Sequence, residues 1–190
     1  MKTTPSKTND FPVRERLLDA ADRLFYQEGI RAVGVDRLLQ EAGAAKASLY
    51  AHFGGKDELI AAYVGRRIEA ARADIDQYLE QFPESERALR FFDFVVEWTL
   101  KPDFRGCPVQ HLVGEIADCT HPARVLAVTQ RQWLAERFQR WAKAAGANDP
   151  ERTAGALQVL FDGAVSASLQ DGPKRARDAR WTAEQLLGRR

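Results

Sequence analysis

Apolar positions recur every three or four residues along nearly the whole chain, with polar positions between them. That spacing predicts amphipathic helices. Val13, Leu17, Ala20, Ala21, Leu24 and Phe25 mark the first, with Pro12 suited to its opening and Gly29 to its stop. Val35, Leu38, Leu39 and Ala42 mark a short second helix, ended by Gly43. Leu49, Tyr50 and Phe53 mark a third, broken by Gly54-Gly55, and a long fourth runs from about Lys56 to about Gln81. From Glu84 to about Lys101, Phe91, Phe92, Phe94, Val95, Val96, Trp98 and Leu100 point all round the cylinder, as in a helix buried among others. Pro108 to about Asp118, Pro122 to about Ala145, Glu151 to about Gln170 and Arg175 to Leu187 complete about nine helices. No segment alternates like a strand and none repeats, so the expected fold class is all-α.

Composition narrows the function classes. A chain of 190 residues, 45% of them hydrophobic, can bury a substantial core. Net charge is +1, and residues 1–64 carry nine Lys/Arg against nine Asp/Glu. Any contact with nucleic acid must therefore come from local charge placement. Cys107 and Cys119 are too few for a disulfide framework. Residues 1–11 are a polar, flexible arm without the apolar stretch of a signal peptide, and no apolar run nears the roughly 20 residues that span a bilayer. A reduced, cytoplasmic protein with no membrane partner is expected.

The window Gly43–Lys56 holds two lysines, a histidine, a serine and a tyrosine but no acid, while Glu41, Asp57 and Glu58 flank it. Two short helices joined by a turn at Gly43 describe a helix-turn-helix, whose second helix enters the major groove of DNA. Leu49 and Phe53, four apart, can anchor one face of that helix. Lys46, Ala47, Ser48, Tyr50, Ala51 and His52 include the residues left to face outward. Ala47 and Ala51 permit close approach and suit a thymine methyl, Ser48 can donate or accept, and Lys46 suits a guanine edge or a phosphate. Tyr50 and His52 suit phosphates, as does Lys56 at the start of the next helix. The same spacing also occurs in plain three-helix packing, so geometry alone leaves both readings open.

Residues 14–64 resemble the DNA-binding domain of the TetR family of bacterial transcriptional regulators. The matching pieces are Arg16-Leu17-Leu18-Asp19-Ala20-Ala21, Leu24-Phe25, Gly29, Ala42-Gly43, Lys46, Leu49-Tyr50-Ala51-His52-Phe53 and Lys56-Asp57-Glu58-Leu59. Phe161-Asp162-Gly163-Ala164 and the ending near Ala183-Glu184-Gln185-Leu186-Leu187 are also similar to one branch of the family. Gly34 and Ala45 stand where the family usually has Ser or Thr caps, and Ala costs about 1 kcal/mol against Ser at such a position. Ala47 and Ser48 stand where glycine and threonine are common.

The resemblance implies a helix-turn-helix domain over 12–60 and a helical ligand-binding and dimerisation domain over 61–190. It implies a homodimer on a palindromic operator, most simply a repressor released by a small-molecule inducer. The residues offer a dimer stripe independently: Leu157, Leu160, Phe161, Ala164 and Ser168 on one helix, and Ala179, Ala183, Leu186 and Leu187 on the last. The same stripes could instead close the monomer core. Phe91, Phe94, Trp98, Phe104, His111, Glu115, Trp133 and Phe161 are candidate inducer-pocket residues, of types that also build ordinary cores.

Cys107, His111 and Glu115 fall four apart and raise a metal-binding or thiol-sensing regulator as an alternative. No CxxC or HExxH pattern supports a metal, so no metal and no cofactor are expected. An enzyme is not expected either, because no P-loop, GxGxxG or GxSxG occurs. The competing class is a helical-bundle small-molecule carrier, which would need a pocket but not the acid-free helix.

Overall fold

A computed structural model describes residues 12–188; the arm expected over 1–11 lies outside them, as do 189–190. The described residues form nine α-helices: α1 (Val13–Glu28), α2 (Val35–Ala42), α3 (Lys46–Phe53), α4 (Lys56–Glu80), α5 (Arg87–Thr99), α6 (Pro108–Glu115), α7 (Pro122–Ala144), α8 (Pro150–Asp171) and α9 (Lys174–Leu186). A 3-10 turn, Glu84–Glu86, precedes α5 where the sequence pattern suggested continuous helix. Helix α6 stops at Glu115 rather than near Asp118. Asp118 folds back instead, its carboxylate accepting from the Thr120 N–H at 2.8 Å and hydroxyl at 2.7 Å. Short polar side chains that bond nearby backbone compete with helix in this way.

The chain divides into two compact units. The first comprises the described residues up to Arg66 together with His111–Leu126. The second comprises Arg67–Gln110 and the chain from Ala127 onward. Helices α4, α6 and α7 contribute residues to both.

In the first unit α1 buries Leu17, Ala21, Leu24 and Phe25. Phe25 meets the Tyr63 ring edge-on at 5.5 Å. Leu38 of α2 and Leu49 of α3 are fully buried, and burying each leucine stabilises the unit by about 1.5–3 kcal/mol. Gly43 ends α2 in the left-handed conformation, φ 57° and ψ 42°, which L side chains adopt at a cost. Only this reversal lets α3 start three residues later.

The second unit packs α5, α8 and α9 on one another and on parts of α4 and α7. Phe91 lies at its centre, with Phe138 at 5.1 Å, Phe161 at 5.3 Å, Phe92 at 5.8 Å and Trp141 at 6.0 Å between ring centroids. Asp149 caps α8 by accepting from the Arg152 N–H at 3.0 Å, with Pro150 in the first turn.

Burial places most of the stripe expected at a dimer interface inside its own chain. Leu157, Ala164, Ser168, Ala179, Ala183 and Leu187 are buried within their own chain, and Leu160 and Phe161 are half-buried beside them. Only Leu186 of that set is exposed. The buried members of the stripe close the core of the second unit. The outward face of α8 carries Gly155, Val159, Gly163 and Ser166, and α9 exposes Trp181.

Candidate nucleic-acid interface

Helix α3 is eight residues long and is held by two of them: Leu49 is fully buried and Phe53 nearly so. The Arg14 guanidinium sits over the Phe53 ring at 5.2 Å, so α1 braces the end of α3 as well as its middle. The remaining residues point away. Lys46, Ala47, Tyr50, Ala51 and His52 are exposed, and Ser48 is half-buried. An exposed tyrosine flanked by two exposed alanines, all on one short helix, is a surface free of acid, with little bulk on either side of the ring. The helix begins at Ala45, whose extended backbone (φ −80°, ψ 153°) is that of a cap, but no side chain caps it.

Ion pairing decides which cations of this unit are available. Arg23 pairs with Glu41 at 2.7 Å, Arg37 reaches Glu41 at 3.4 Å and Glu28 at 3.8 Å, and Arg66 pairs with Asp19 at 2.6 Å. Arg14 pairs with Glu15 at 2.9 Å. Lys56, expected at a phosphate, turns inward: its Nζ donates to the Ile30 carbonyl at 2.9 Å and lies 5.8 Å from the Phe25 ring. Burial pulls its ammonium pKa down, against the opposing pull of Asp57 and Glu115. Lys46 has no ion-pair or hydrogen-bond partner among the described residues. Of the two described lysines of this unit, Lys46 is thus the one left uncompensated, on the outward face of α3.

Six of the proposed pocket residues, Phe91, Phe94, Trp98, Phe104, Trp133 and Phe161, belong to or pack against the core of the second unit. Phe91 is sealed in the core of the second unit and Phe161 is half-buried against it. Trp98 and Phe104 form an edge-to-face pair at 5.2 Å, and Phe94 packs on Tyr78 at 5.4 Å. Trp133 lies under the guanidinium of Arg137 at 3.9 Å and near that of Arg72 at 4.9 Å. His111 and Glu115 belong to the first unit, where His111 stacks on Tyr26 at 6.3 Å and Glu115 accepts from the Arg31 N–H at 2.7 Å.

Cys107 belongs to the second unit, and His111 and Glu115 to the first. Among the described residues no group of three His, Cys, Asp or Glu side chains is placed to hold an ion. Burial pushes the Cys107 thiol pKa up, outweighing the backbone N–H groups of Gln110 and Val109 aimed at the sulfur. A redox-sensing thiol needs the opposite shift.

Sequence reasoning missed the role of the segment His111–Leu126, which packs with the helix-turn-helix. Its partners lie far away in the chain, and no local pattern marks them.

Comparison with known proteins places this geometry. The bacterial regulatory proteins of the tetR family match over residues 17–63. The HTH-type transcriptional regulator LmrA of Bacillus subtilis is 26% identical over 161 residues, spanning 82% of this chain and 86% of the relative. The crystal structure of a TetR-family transcriptional regulator from Streptomyces coelicolor superposes with a TM-score of 0.87 at 32% identity, covering 93% of this chain and 94% of that one. A TetR-type regulator from Streptomyces avermitilis superposes with a TM-score of 0.81 at 33% identity, covering 94% and 99%.

Proposed function

From membership of the TetR family of bacterial transcriptional regulators, to which this chain belongs, we propose a homodimeric repressor that a small-molecule inducer releases from a palindromic operator. The chain is a DNA-binding regulator and not an enzyme. No helix among the described residues is long and apolar enough to cross a membrane, and we place the protein in the cytoplasm with its DNA.

The observation that carries the DNA-reading assignment is the outward face of α3, with Lys46 unpaired and Ala47, Tyr50, Ala51 and His52 exposed. We assign Lys46, Tyr50 and His52 to phosphates or base edges, Ala47 and Ala51 to close approach, and Ser48 to a polar contact at the rim. Lys56 acts within the protein, through Ile30.

A second copy is the proposed partner of the outward faces of α8 and α9. Trp181 is 63% exposed and Val159 68% exposed, and Gly163 beside Val159 lets another helix approach closely. Two-fold symmetry then presents two copies of α3 to half-sites about 34–36 Å apart. For the inducer we favour the second unit near Trp98, Phe104 and Phe161, rings that are half-buried rather than sealed like Phe91. An inducer acts only through unequal affinity for the operator-competent and incompetent states.

Selection of bound duplexes from a random pool at near-physiological salt tests the reading. The expected result is an enriched palindrome, lost with Lys46→Ala or Tyr50→Ala. A folded dimer that enriches nothing would refute the DNA-reading face and favour a small-molecule carrier.

A further inference from the structure

We infer that Glu115 is a positioning residue for DNA binding: its carboxylate holds the α1–α2 turn, and through that turn the seating of the recognition helix. The inference rests on α3 being the DNA-reading helix. Every contact it uses lies within the first unit.

The turn between α1 and α2 is short and is gripped from two sides. Glu115, at the C-terminal end of α6, accepts from the Arg31 N–H at 2.7 Å. Lys56, in the first turn of α4, donates to the neighbouring Ile30 carbonyl at 2.9 Å. One residue earlier, Gly29 has φ 96°, and a Cβ there would lie 3.4 Å from both Glu115 oxygens. The carboxylate therefore lies in van der Waals contact with the place a Cβ at 29 would take, and φ 96° itself favours glycine there. Glu115 also attracts the Lys56 ammonium, whose burial opposes its charge. Together they form a charged clasp with two backbone groups of the turn between its jaws.

The clasp has consequences for α3. Lys56 follows the Gly54-Gly55 break that ends α3, so the jaw on α4 is three residues from the buried anchor Phe53. The turn leads through buried Ile30 and Val33 into α2, which packs on α3. Both ends of the helix-turn-helix thus meet at one turn, held by Lys56 at the Ile30 carbonyl and by Glu115 at the Arg31 N–H. The segment carrying Glu115 is itself fastened to the unit. His111 stacks on Tyr26, and His121 Nε2 faces the Asp57 carboxylate at 3.6 Å while Nδ1 accepts from the Ala123 N–H at 3.1 Å. Arg124 donates to the Val113 carbonyl at 3.0 Å, closing the segment on itself.

A loose clasp would make α3 pay ordering entropy on binding, which lowers affinity without removing a DNA contact. Glutamine keeps an oxygen that can accept from Arg31, whereas alanine keeps nothing. The experiment compares wild type, Glu115→Gln and Glu115→Ala on the duplex that wild type selects, well below the melting temperature, with amide exchange at Arg31 as a second readout. The expected result is about tenfold or greater loss of affinity for Glu115→Ala with loss of Arg31 amide protection, and recovery of most of both in Glu115→Gln. Folded, dimeric Glu115→Ala that binds within about twofold of wild type would overturn the inference. So would a loss that tracks the unfolded fraction alone. Failure of wild type to select any duplex would instead overturn the assignment of α3, so the two failures are distinguishable.

Discussion

Replacing Lys46 with alanine should change the salt dependence of operator binding more diagnostically than it changes affinity at one salt concentration. Lys46 is exposed on α3 and unpaired among the described residues, whereas Arg23, Arg37 and Arg66 are held by carboxylates at 2.7, 3.4 and 2.6 Å. A phosphate contact releases condensed counterions, and each contributes about −0.9 to the slope of log K against log salt. A dimer places two copies of Lys46 on one operator, so the variant slope should be shallower by about 1.8. Between 50 and 200 mM salt that difference amounts to roughly twelvefold in relative affinity, with the variant's deficit largest at low salt. The assay is fluorescence anisotropy on the selected duplex across that range. Arg37→Ala is the control: its guanidinium already faces Glu41 and Glu28, so its slope should stay near wild type. An unchanged slope for Lys46→Ala, or an equal loss for Arg37→Ala, would refute the argument that ion pairing selects the DNA-facing cation.

Ala45→Ser should raise the melting temperature, because Ala45 already has extended backbone at the start of α3 and a hydroxyl there gains about 1 kcal/mol; a calorimetric scan with no rise would show that these N–H groups are already satisfied. Gly163→Arg should convert the dimer to monomer in sedimentation without loss of helicity, since a Cβ at Gly163 meets nothing within 4 Å of its own chain and glycine is the poorer helix former; a surviving dimer would remove the outward face of α8 from the interface. Cys107 should alkylate more slowly than a free thiol near neutrality, and its rate should rise only above the ordinary thiol range, because burial disfavours the thiolate; a midpoint below that range would contradict the desolvation argument.

The helices were legible because their punctuation is chemical. Gly29 and Gly43 take positive φ where the sequence places stops. The outward face of α3 was legible for a similar reason. An eight-residue helix anchored by Leu49 and Phe53 leaves few ways to orient the rest. Lys56 and Glu115 were not legible. Their side chains meet backbone groups 26 and 84 residues away, and a lysine or glutamate that satisfies a distant turn has the same local signature as one that meets a phosphate or a ligand.

The dimer stripe shows a different limit. A helix packed inside its own chain and a helix packed on a partner share the period of 3.6 residues. On α8 one face is buried within the chain and the other, the face we propose for a partner, is exposed, so the pattern contains two stripes. Leu157, Ala164 and Ser168 carry the more apolar set and lie inside, while Gly155, Val159, Gly163 and Ser166 carry the smaller residues and lie outside. Hydrophobicity ranks the first stripe higher because a core excludes water permanently, whereas an interface formed after folding must also tolerate exposure in the monomer. Small residues are what such an interface can use. They expose little apolar area before assembly and allow close backbone approach after it, while the exposed Trp181 is the large side chain we propose as its anchor. A periodic apolar stripe in a helical domain therefore identifies the core first, and the interface has to be sought on the opposite face, where the side chains are small.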